Sequence, residues 1–84
     1  MEIKGKVFLV GETETVGAKD FKKRLLVVET DEQYSQKISV DFVQDKVTLL
    51  DFITTGQEVT VSINVRGNEY NGKYYVNLQG WQIK

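Results

Sequence analysis

The chain has 84 residues and a net charge of −1, with 40% hydrophobic and 27% charged residues, a balance that suits one globular domain over residues 1–84 with a modest core and argues against a disordered chain. It contains no Cys, His or Pro, which removes disulfides, thiolate zinc sites and every Ser-His-Asp or Cys-His nucleophile arrangement. No apolar run approaches the roughly 20 residues that span a bilayer. Met1-Glu2-Ile3-Lys4-Gly5 has no basic-then-apolar leader, so a cytoplasmic protein is expected, and with no His or Cys the expectation is a protein that is not an enzyme and uses no cofactor, metal or membrane.

The first predicted strand is Glu2–Val10, with Ile3, Gly5, Val7 and Leu9 on one face and Lys4, Lys6, Phe8 and Val10 on the other. Residues 11–20 read as a polar loop with two glycines. The second strand, Phe21–Thr30, has the centre Leu25-Leu26-Val27-Val28, which is apolar on both faces and leaves two pleat phases open. In one phase Leu26 and Val28 join Phe8 and Val10 in an outer apolar patch, the contact of a homodimer or homotetramer formed through the first strand. In the other, the core lies on that side.

After a turn at 31–35, the third strand, Lys37–Val43, alternates with Ile38, Val40 and Phe42 inward. Asp45 reads as the N-cap of a helix to about residue 53, striped by Val47, Leu50 and Ile53, with Gly56 placed to end it in a left-handed conformation. The fourth strand, residues 58–65, turns Val59, Val61, Ile63 and Val65 inward. Asn71-Gly72 signals a type I′ hairpin turn, whose central residues both need positive φ. In the fifth strand, Lys73–Ile83, Tyr74, Val76 and Leu78 oppose Tyr75, Asn77 and Gln79, and Gly80 is expected to bulge the strand so that Trp81 or Ile83 changes face.

Three strands, a short helix and two more strands make an all-β chain with the order of the OB-fold, a five-stranded barrel with one helix between strands three and four. Such barrels commonly bind oligonucleotides or oligosaccharides, and two groups of residues fit the first. The outward side of the hairpin collects Asn64, Arg66, Tyr70, Lys73, Tyr75, Asn77 and Gln79, a mixture of stacking rings, cations and amides suited to single strands. Lys19, Lys22, Lys23 and Arg24 gather cations that would track phosphates, and Tyr34 adds a ring in the turn after strand two. Asp41 lies on the same predicted face as a counter-charge, able to accept a hydrogen bond from an exocyclic amine.

The segments Met1-Glu2-Ile3-Lys4-Gly5-Lys6, Val28-Glu29-Thr30-Asp31-Glu32-Gln33-Tyr34 and Glu69-Tyr70-Asn71-Gly72-Lys73-Tyr74-Tyr75, with Trp81, resemble a family of short bacterial and phage proteins known as a conserved domain of unknown function. The resemblance implies a single OB-fold similar to single-stranded-DNA-binding proteins, and hence an oligomeric, DNA-directed role. The reading is sequence-tolerant binding of single-stranded nucleic acid, DNA ahead of RNA. The alternative is a structural or adaptor module that uses the barrel for protein contacts without nucleic acid.

Overall fold

Alternating apolar residues recur along the chain, and each strand that carries them pairs with at least two neighbours in the computed structural model, which describes residues 1–17 and 20–84. The elements are β1 Glu2–Val10, β2 Glu14–Val16, β3 Phe21–Thr30, β4 Lys37–Val43, a 3₁₀ helix Gln44–Phe52, β5 Glu58–Tyr70 and β6 Lys73–Ile83. The sheet order β1-β5-β6-β4-β3, with β1 also paired to β3, closes five strands into the ring of an OB-fold. All pairings in the ring are antiparallel except β4 with β6, which run parallel and meet at Asp41 and Gln79. Val7, Leu26, Val28, Val40, Phe42, Val59, Val61 and Ile63 fill the interior, and Leu50 of the 3₁₀ helix packs onto them.

The interior resolves the ambiguity of the second predicted strand, now β3. Val28 pairs with Val7 and Ile38, and Leu26 with Val10 and Val40, so both are fully buried and the outer patch containing them does not form. Leu25 and Val27 face outward in their place. β1 adds its own correction, because the register slips at Phe8: Val7 pairs with Val28 and Leu9 with Val27. This bulge leaves Phe8 and Leu9 49% and 47% exposed and turns Val10 toward the core.

Other boundaries differ from the sequence reading. The loop between the first two predicted strands contains β2, paired with residues 21–23 of β3. The helix is 3₁₀ and begins at Gln44, so Asp45 lies inside it, and the capping position, Val43, makes no side-chain bond. With three residues per turn, Val47, Leu50 and Ile53 line up on the side facing the barrel. Gly56, at φ +91°, lies beyond the helix in the following turn, where its N–H donates to the Val7 carbonyl at 2.8 Å.

β5 runs five residues further than the predicted fourth strand, to Tyr70, and Val65 is 51% exposed because it lies past the barrel wall. Asn71 and Gly72 have φ of 52° and 76°, the pair of positive values that a type I′ turn requires. The expected bulge is present: Ser62 pairs with Gln82 but Ile63 with Gly80, so Trp81 is the extra residue and Ile83 turns toward the core. A side chain at Gly80 would overlap the Phe42 ring. No helix among the described residues is long and apolar enough to cross a membrane.

Candidate nucleic-acid interface

Residues opposite each other in an antiparallel ladder share a face, and this assembles the hairpin side of the site. Asn64 pairs with Gln79, Arg66 with Asn77, Asn68 with Tyr75 and Tyr70 with Lys73. Arg66, Tyr70, Lys73, Tyr75 and Asn77 are therefore brought together on one exposed surface. Arg66 Nε donates to Gln79 Oε1 at 3.3 Å, which holds the guanidinium along the strand. The opposite side of the ribbon carries Val65, Gly67, Glu69, Tyr74, Val76 and Leu78.

The parallel pairing of Asp41 with Gln79 carries this surface onto the outer faces of β4 and β3. There Lys37, Ser39, Asp41 and Val43 stand beside Glu29, Val27, Leu25 and Lys23. At the junction of β4 and β6 lies a cleft of about 340 Å³, with Lys37, Ser39, Asp41 and Asn77 as its polar lining and Ile38, Val76 and Leu78 as apolar walls. A second cleft of about 250 Å³ crosses to β3, lined by Gly11, Glu12, Glu14, Lys23, Leu25 and Asp41. Polar groups on apolar walls beside exposed rings make a surface suited to a flat, hydrogen-bonding ligand.

The cations of the loop-to-strand cluster separate. Lys23 lies on the groove face, with Nζ 3.6 Å from Asp41 Oδ2. Lys22 is exposed at the end of β3, and its backbone N–H donates to the Gln44 side chain at 3.4 Å. Arg24 points the other way: its Nε donates to the Gly11 carbonyl at 2.7 Å and its NH1 group to Asp51 Oδ1 at 2.7 Å. With its side chain only 16% exposed, it ties the β1–β3 connection to the 3₁₀ helix and stands apart from the groove. Lys19 lies outside the described residues. Tyr34 is exposed in the β3–β4 turn. Because β6 runs parallel to β4, that turn and the hairpin tip lie toward the same end of the barrel.

Residues of this surface that escaped the sequence reading include Asn68, Lys37 and Phe8. Lys37 Nζ sits 4.6 Å from the centre of the Phe8 ring, a cation–π contact at the edge of the groove. The sequence reading puts Phe8 in a self-association patch, and its place here follows from the bulge in β1, which no residue pattern announces. Among the described residues, no group of three or more Asp or Glu side chains is arranged to hold a metal ion.

Solved structures with this architecture include the mitochondrial single-stranded DNA binding protein Rim1 of S. cerevisiae. It aligns with a TM-score of 0.83 at 13% identity, covering 100% of this chain and 90% of its own. The SSB domain of a protein from Synechococcus sp. aligns with a TM-score of 0.77 at 13% identity, covering 99% and 90% of the two chains. At that identity the likeness is one of fold. A search of curated proteins finds no match. The family described as "Domain of unknown function (DUF3127)" matches residues 2–84, and this chain belongs to that family.

Proposed function

We propose that this protein binds single-stranded nucleic acid, DNA ahead of RNA, across the hairpin face and the outer side of β3 and β4. The observation that carries the proposal is the pairing of Arg66 with Asn77, Asn68 with Tyr75 and Tyr70 with Lys73, which sets cations, amides and rings on one surface joined to the β4–β6 cleft. Rings stack on bases whatever their identity, at about 1–3 kcal/mol per base, while Lys and Arg follow the backbone. The fold shared with the two single-strand-binding structures supports the same reading. Fluorescence anisotropy with labelled oligo-dT at about 20 mM salt, where charge screening is weak, tests it directly. Saturable binding that weakens with added salt is the expected result. Absence of binding under those conditions removes the nucleic-acid role and leaves the barrel as a protein-contact module.

The half-exposed neighbours Phe8 and Leu9 favour a second property, self-association into a homodimer or homotetramer through β1. Phe8→Glu puts a charge into that contact and is expected to shift the protein toward monomer in light scattering. A monomeric unmutated protein at micromolar concentration would exclude the contact.

A further inference from the structure

Asp41 occupies the middle of the candidate groove. It pairs with Leu25 of β3 on one side and with Gln79 of β6 on the other, and it lines both clefts. A carboxylate in that position repels phosphate, and Glu12 and Glu14 in the neighbouring cleft add to the repulsion. A strand lying across the face therefore carries its phosphates elsewhere and turns a base edge toward Asp41.

The side chain of Asp41 is 21% exposed, and Lys23 Nζ stands 3.6 Å from its Oδ2. Together the two residues present one cationic donor beside two carboxylate acceptors. Only one base offers the complementary order on its Watson–Crick edge. Guanine has the O6 acceptor next to the N1–H and N2–H donors. Thymine sets a carbonyl on each side of its single N–H, so one of them opposes the carboxylate. Cytosine has one donor followed by two acceptors, the same order as the Lys23–Asp41 pair itself. Adenine offers a single amine beside an acceptor.

Resting on the nucleic-acid reading above, we propose that Lys23 and Asp41 form a base-reading position that prefers guanine within an otherwise sequence-tolerant groove. Asp41 accepts from guanine N1–H and N2–H, and Lys23 donates to O6. The remaining bases of the strand stack without being read.

The test compares labelled oligo-dT of about 16 nucleotides, the upper end of an OB-fold site, with the same strand carrying one central guanosine or one central inosine, which lacks the N2 amine. For the unmutated protein, the guanosine strand is expected to bind about 5- to 20-fold more tightly than oligo-dT, the lower part of the range for a good bidentate base contact. Inosine should lose most of that gain. Asp41→Asn replaces one acceptor with a donor and removes a charge that repels phosphate, so affinity for oligo-dT should rise while the ratio of guanosine-strand to oligo-dT affinity falls to about one. Equal binding of the guanosine and thymine strands, or a preference that survives Asp41→Asn, overturns the base-reading position and leaves the groove intact. If none of these strands binds at low salt, the groove reading falls and this inference falls with it. The inosine comparison needs no variant and stands whether or not Asp41→Asn folds.

Discussion

Within the β5–β6 hairpin, the stem at residues 59–63 packs into the barrel, whereas the arm at residues 64–77 is exposed throughout, although the apolar alternation of β5 continues from one into the other. Val61 and Ile63 face Val40, Phe42 and the helix residue Leu50 in one core, while Val65, next in the same alternation, has no layer to face. Alternation separates two faces of a strand; burial depends on what stands opposite. A two-stranded ribbon is at best marginally stable in water, so the arm owes its order to the barrel that anchors it. The stem holds the fold, and the arm is free to carry rings and charges toward a ligand.

Mutations in the two regions should therefore have different readouts. Phe42→Ala empties the centre of the barrel and is expected to cost about 3–5 kcal/mol in urea denaturation, the usual range for a buried aromatic ring. A loss below about 1 kcal/mol would mean that the interior collapses around the gap and that stem and arm are less distinct than they look.

Tyr75→Ala sharpens the contrast from the other side. Stability should stay within about 0.5 kcal/mol, as expected for an exposed position. Affinity for oligo-dT should fall by about 1–3 kcal/mol at every salt concentration, because stacking releases no counterion. A large drop in the denaturation midpoint would place Tyr75 among the structural residues.

The smallest effect separates cations that are neighbours in sequence. Lys22→Ala should flatten the log–log salt dependence of binding by roughly 0.7, the contribution of one phosphate contact on a single strand. Arg24→Ala should leave that slope unchanged and lower stability by about 1 kcal/mol, a modest value because its partner Asp51 is half exposed. If Arg24→Ala changes the slope as much as Lys22→Ala does, the clamp to Gly11 and Asp51 opens when ligand binds.

Much of the candidate site was legible in the chain because it depends on local rules. Asn71-Gly72 dictates a two-residue turn, the turn sets the register, and the register places Arg66, Tyr70, Lys73, Tyr75 and Asn77 on one side. The Lys22 to Arg24 run was not legible in the same way. Its residues alternate across a strand whose phase could not be read from Leu25-Leu26-Val27-Val28, so Lys23 went to the groove and Arg24 to a clamp beneath the barrel.

By itself, then, the sequence determined the order of the main elements, the hairpin turn and the face shared across it, since each follows from side-chain periodicity and backbone preference over a few residues. Tertiary structure decided the phase of β3, the bulge at Phe8 and where β5 leaves the barrel. Those depend on closing the ring: Val28 must meet Val7 and Leu26 must meet Val40 before either strand has an inside. An apolar run names no inside until its partners arrive.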